Sequence, residues 1–268
     1  MEFATPGFAS QGVGRLVSLR AMAAARRVPE GPAPEPAVQK LRVQYAKRGR
    51  MRFTSSRDFQ RALERALRLA RVPMAFSGGF HPHPRISYAN AAPTGVASEA
   101  EYVELSVTRR VDPAELGSAL GAALPDGLEI VRVEEAAEGA LADRLVASRW
   151  QMAFPGLAPD ALRPAVTRFL EAESFEVTRM MKQGPRAIDV RGPVLVAEVT
   201  DQPLAGGPTG GPAAVLLLTV RHTTPTVRPA ELWQALREVS GQDLPRPAGT
   251  RLAQGPLGAD HAVLDPLG

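Results

Sequence analysis

Lys40-Leu41-Arg42-Val43-Gln44-Tyr45 alternates polar and apolar side chains, and Ser55-Ser56-Arg57-Asp58-Phe59-Gln60-Arg61-Ala62-Leu63 starts a different rhythm. The change of period decides the fold. A period of two marks a half-buried strand, and apolar residues three and four apart mark an amphipathic helix. Lys47-Arg48-Gly49-Arg50 breaks the strand. Ser55 or Ser56 can cap the helix, and Asp58 in its first turn suits the positive end of the dipole. The helix reads on to about Arg71, where Pro73 ends it. Outward from there, Met74-Ala75-Phe76 reads as a short strand and Ser77 to Arg85 as a loop. Glu101 to Val107 alternates again. Asp112 caps a second helix with Pro113 at its first position, running to about Leu124. Leu128 to Val133 is a further strand. Strand, helix, strand, strand, helix, strand is the ferredoxin-like order.

The second half repeats the scheme. Ser148 to Phe154 is a strand and Ala158 to Glu171 a helix. Phe175 to Met180, Ile188 to Val190 and Val194 to Val199 are extended. Val215 to Arg221 is a clear strand, Val227 to Ser240 a helix with Gly241 beyond it, and Arg251 to Ala253 a closing strand. The expected class is α+β, two tandem ferredoxin-like (βαββαβ) domains over 38–136 and 148–257. The boundary falls within Glu134 to Ala147. Residues 1–37, arginine- and alanine-rich and then proline-rich, read as a disordered leader, with Met22 a candidate start. Residues 258–268 read as a flexible tail, and the Gly/Pro-rich stretch from Asp201 to Pro212 as a flexible loop.

The 268 residues include no cysteine, 24 glycines and 25 prolines. The missing cysteine excludes disulfides, thiolate zinc sites, a cysteine nucleophile and an iron–sulfur cluster on this chain's own thiolates. With 44% hydrophobic residues the chain can build a core, and no apolar run is long enough for a transmembrane helix. A cytoplasmic protein without membrane contact is expected.

The net charge of +4 conceals an asymmetry: Lys40 to Asn90 carries +10, and Ala91 to Ala136 carries −6. At about 100° per residue, Arg57, Arg61, Arg65, Arg68 and Arg71 share a sector roughly 120° wide. Phe59, Leu63, Ala66 and Leu67 oppose it, and only Glu64 interrupts it. Lys47, Arg48, Arg50 and Arg52 can join this surface from upstream, and Arg85 from downstream. Arginine suits phosphate because its fork binds bidentately. Three readings stand: nucleic acid or another polyphosphate, an acidic protein partner, or a solvated face neutralised internally. Aromatics are only 5% of residues, which favours backbone contact over base readout.

Ser77-Gly78-Gly79-Phe80-His81-Pro82-His83-Pro84-Arg85-Ile86-Ser87 is the least generic segment. Glycines permit unusual backbone angles, and prolines stiffen the chain after them. His81 and His83 can act as acid/base, ligand or hydrogen-bond donor. Two histidines two apart in an extended chain point to opposite faces, so no metal site and no cofactor is expected. Binding loop, structural loop and catalysis remain, with His83 and Asp58 the catalytic candidates. Ser55, Ser87, Gly95 and Glu99 complete the candidate binding residues.

Arg52-Phe53, Ser55, Asp58, Arg61 to Ala66, Gly79-Phe80, Pro82-His83-Pro84, Ile86-Ser87, Pro93, Gly95 and Glu99 to Leu105 together resemble the radical-SAM-associated (radical-SAM-linked) protein family. Phe169 to Ser174, Ile188 to Arg191 and Val227 to Leu232 extend the resemblance to about Leu257. Ser56 and His81 depart from it, standing where the family usually shows His and Asn. That family is a bacterial domain of unknown function, found beside or fused to cobalamin-binding radical SAM proteins. Its genes often lie near those for ribonuclease G/E-type enzymes and large-subunit ribosomal proteins. The resemblance implies a radical SAM partner and a link to RNA or a ribosomal component. A radical SAM enzyme needs a three-cysteine cluster motif, so this cysteine-free chain would be its companion. The expectation is a non-catalytic RNA-binding accessory protein. An RNA-processing enzyme using His83, or a pure protein-interaction adaptor, are the alternatives.

Overall fold

Alternation carries β1 from Gln39 to Lys47, with Leu41, Val43 and Tyr45 turned to one buried face. A 3-10 turn over Gly49–Phe53 leads to α1, Ser56–Leu69. The computed structural model of the chain describes Met1, residues 34–202 and residues 213–267. The expected leader therefore lies almost wholly outside the described residues, as does the Gly/Pro-rich loop beyond Gln202.

The next elements are β2 (Ile86–Ala89), β3 (Ala97–Val107), α2 (Pro113–Ala123) and β4 (Leu128–Glu135). A four-residue turn of helix, α3 (Leu141–Arg144), leads into β5 (Ala147–Pro155) and α4 (Pro159–Glu171). Beyond them lie β6 (Glu176–Met181), β7 (Gly184–Asp189), β8 (Val194–Thr200) and β9 (Ala213–Arg221). The chain closes with α5 (Pro229–Ser240) and β10 (Ala248–Gly255). Asp112 caps α2 by accepting from the Glu115 N–H, and Gly241 ends α5 in the left-handed conformation at φ 65°.

The architecture is mixed α and β, built on one large sheet. Its order is β4-β1-β3-β10-β5-β9-β8, with β2 also paired to β3. Within residues 39–135 all pairings are antiparallel, and likewise from β5 to β10. The halves join where Thr250 and Arg251 pair in parallel with Ala97 and Ser98. The eleven residues of β3 make this possible: Tyr102 to Leu105 pair with β2, leaving the start of the strand for β10. The two halves thus share a continuous sheet. β6 and β7 form a separate hairpin.

Each half has its own core. Phe59, Leu63, Leu116 and Leu120 pack from α1 and α2 onto β1 and β3. Leu162, Phe169, Leu232 and Leu236 pack from α4 and α5 onto β5 and β9. Tyr45 stacks on Phe59 with ring centroids 4.2 Å apart.

Two local readings change. Met74 to Phe76 makes only isolated bridges, to Val107 and Pro84, and the strand of this edge is β2. Only the Ala75 N–H and the Pro73 carbonyl bond this end of β3, to Ser106 and Thr108, too short a run for a ladder, whereas Ile86 and Tyr88 alternate with Ser87 and Ala89 along β3. Residues 258–267, read as a tail, pack back: Leu267 is buried beside Tyr102 and Leu141, and Leu257 bridges Val263.

Candidate functional site

The strongest candidate is the outer face of α1. Ser55 caps the helix by accepting from the Asp58 N–H at 3.2 Å, and its hydroxyl donates to the Asp58 carboxylate at 2.7 Å. With Phe59, Leu63, Ala66 and Leu67 buried, the 3.6-residue period leaves Arg57, Arg61, Arg65 and Arg68 exposed. Arg50 and Arg52 are exposed before the helix, Arg71 beyond its end, and Arg85 before β2. The fourteen residues of α1 span about 21 Å, so its four arginines form a long strip, extended by Arg50 and Arg52 before it and Arg71 after it. Arg85 has the parity of Ser87 and lies toward the other face of the sheet, so the expectation that it joins the strip does not hold.

Internal neutralisation goes elsewhere. Glu104 pairs with Lys40 and Arg42, both at 3.2 Å, Glu135 with Arg110 and Glu134 with Arg132. Glu99 and Glu129 both hold Arg48. Among the described residues, the strip's only ion pair is Arg61 with Asp58 at 3.8 Å, between exposed side chains. The expectation that Lys47 and Arg48 join the strip does not hold. Arg48 is tied to carboxylates, and Lys47 is 5% exposed.

Aromatic groups flank the strip, which composition alone did not suggest. Phe53 is 59% exposed, Phe80 63% and Phe76 46%. The Arg52 guanidinium lies 4.8 Å from the Phe53 ring centroid.

The remaining candidates divide between places. Gly79, at φ 117° with open space around it, Phe80, His81, Pro82 and His83 form an exposed loop past the C-terminal end of α1. Pro84, half-buried, bridges Phe76, and the His83 N–H donates to Ser77 Oγ at 3.1 Å. Ser55, Asp58, Gly95 and Glu99 lie at the opposite end. Gly95 at φ 91° donates its N–H to the Arg52 carbonyl at 2.7 Å and packs against the Phe53 ring. The helix therefore separates His83 from Asp58, and they make no catalytic pair. Ser87 lines a cavity of about 660 Å³ with Lys40, Glu104 and the 136–142 segment. No group of acidic and histidine residues suited to a metal occurs among the described residues. No described helix is long and apolar enough to cross a membrane.

A buried polar seam between the halves was not foreseen. The Arg251 guanidinium meets Glu101 at 3.0 Å, donates to the Asn90 carbonyl at 2.6 Å and lies 4.7 Å from the Trp150 ring centroid. The other Glu101 oxygen accepts from the Ala92 N–H at 2.9 Å. Nearby, Ser148 Oγ bonds His222 Nε2 at 2.7 Å and His222 Nδ1 bonds the Leu145 carbonyl at 2.7 Å. A carbonyl only accepts, so Nδ1 carries the proton and Ser148 donates to Nε2. This resembles a nucleophile–base pair, yet Ser148 is fully buried and out of reach of substrate. Burial holds His222 below its ordinary 6.5, opposed by the Leu145 bond. Burial likewise lowers Lys47 from 10.5, against the raising effect of Glu101, and pushes Tyr88 up to about 12. The burial of Lys47 was missed, although its parity with Leu41, Val43 and Tyr45 is a signal that could have placed it inside. His222 and Arg251 carry no local signal.

A family model described as an uncharacterized protein conserved in bacteria (DUF2344) matches residues 40–229, well over half of the chain. The chain belongs to this family. The DUF2344 match covers β1 to the start of α5, and with it the arginine strip, the Gly/His/Pro loop and much of the seam. No curated relative matches the sequence.

Proposed function

We propose that this DUF2344 chain is a non-catalytic accessory protein that binds single-stranded RNA along the outer face of α1, as companion to a radical SAM enzyme. One observation carries the RNA reading. The acidic residues of the neighbouring strands pair with β1, Arg48 and Arg251, and leave the α1 arginines with a single long, exposed pair, Arg61 to Asp58. Arginines stacked at i,i+4 repel by a few tenths of a kcal/mol per pair, and a phosphate backbone relieves that repulsion. Phe53, Phe76 and Phe80 beside the strip suit unstacked bases, which a duplex does not present. The radical SAM partner rests on the sequence resemblance.

The finer reading of the fold is two tandem ferredoxin-like units. Strand orders β4-β1-β3-β2 and β10-β5-β9-β8 support it, with the β6–β7 hairpin as an insertion in the second.

Exposed Leu69, Phe76 and Phe80 favour a second reading, a protein-docking surface at the C-terminal end of α1. Binding of an oligoribonucleotide across a salt series separates the two. Phosphate contacts give a linear fall of log K with log salt, and apolar docking does not.

A further inference from the structure

At the other end of α1 a small cavity enters the protein between the helix start, the end of β1 and the Tyr88–Ala92 segment. Its volume is about 40 Å³, room for about three waters at roughly 10–15 Å³ each. Exposed Ser56 and Ala91 form its rim.

Its walls are built of donors. Lys47 lines it at 5% exposed, and its ammonium has one acceptor among the described residues, the Ala92 carbonyl at 3.3 Å. An ammonium carries three donors. Tyr45 lines it too, also 5% exposed, and its hydroxyl has no hydrogen-bond partner among the described residues. The first turn of α1 adds the Ser56 and Arg57 N–H groups, the Asp58 N–H being taken by the Ser55 hydroxyl, and the positive end of the helix dipole.

We propose that this cavity binds a phosphate group. The three terminal oxygens of a phosphate at the cavity mouth match three kinds of donor: the Lys47 ammonium, the Tyr45 hydroxyl and the Ser56 and Arg57 N–H groups. The nearby carboxylates are already engaged. Glu101, which also lines the cavity, is held by Arg251 and the Ala92 N–H, and Asp58 by the Ser55 hydroxyl. Lys47, Arg251 and Glu101 together leave one positive charge for the ligand. The site does not depend on the arginine strip, although a phosphate at the end of an RNA lying on that strip is one source of the group.

The test is calorimetric titration of the full chain with inorganic phosphate at fixed ionic strength. Saturable one-to-one binding is expected, weakened at least tenfold by Lys47→Met and several-fold by Tyr45→Phe, which keeps the stack on Phe59. Arg65→Gln should leave it unchanged. A second arm compares 5′-phosphorylated and 5′-hydroxyl oligoribonucleotides. A preference for the phosphorylated end that Tyr45→Phe removes identifies RNA as the source. Equal affinities beside intact phosphate binding identify free phosphate. No saturable binding by the wild type, or binding that Tyr45→Phe leaves unchanged in a folded variant, overturns the proposal. Loss of RNA binding with phosphate binding intact would instead count against the arginine strip alone.

Discussion

Arg251 of β10 and Glu101 of β3 form an ion pair at 3.0 Å with side chains only 4% and 2% exposed. It lies where the two halves meet by a short parallel pairing. Removing one partner of a buried pair leaves an uncompensated charge. Glu101→Ala should therefore cost about 3–5 kcal/mol, read as a lower urea midpoint. Replacing both residues by apolar side chains should recover much of that loss.

Acid should weaken the same seam through His222. Its pKa lies below the ordinary 6.5 because burial disfavours the imidazolium. The unfolded chain then binds more protons than the folded one below that value, so stability falls as pH falls. His222 contributes its full share above about pH 6.5 and loses it as pH drops toward the folded value. Melting temperature measured from pH 8 to 5 should decline at the acid end, less steeply in His222→Gln.

The aromatic groups beside the strip have a separable effect. Phe80→Ala should weaken RNA binding by about 1–3 kcal/mol if the ring stacks on a base. Its 63% exposure makes a change in fold stability small. Competition binding and thermal melting of the same variant check both statements.

His83→Ala should leave RNA affinity and melting temperature unchanged, and the wild type should not cleave RNA. The side chain is exposed and distant from Asp58. Cleavage by the wild type that this variant abolishes would favour the processing enzyme.

Much of the local structure was legible in the sequence. Ser55 with Asp58, Asp112 with Pro113, and Gly241 after α5 each mark a helix end by chemistry that acts within a few residues. Alternation placed β1 and most of β3, and the apolar run Val215 to Leu218 marked β9. The β3–β10 pairing was not legible, because it joins residues about 150 apart and rests on only two register pairs. Ile86 to Ala89 was hidden for a different reason: four alternating residues after a Pro-rich loop fall at the lower limit of the pattern. The arginine face was readable from spacing. That its arginines keep only the one long pair, Arg61 to Asp58, was not, since that depends on which strand each glutamate faces.

The measurement closest to the central claim is fluorescence anisotropy of a single-stranded oligoribonucleotide across a salt series. It compares the wild type with Arg57→Gln, Arg61→Gln, Arg65→Gln and Arg68→Gln combined. Each lost phosphate contact lowers the slope of log K against log salt by about 0.7 for single strands, so the four together should reduce it by roughly 3. Absent binding, a salt-insensitive affinity, or an unchanged slope in the folded variant would contradict the account.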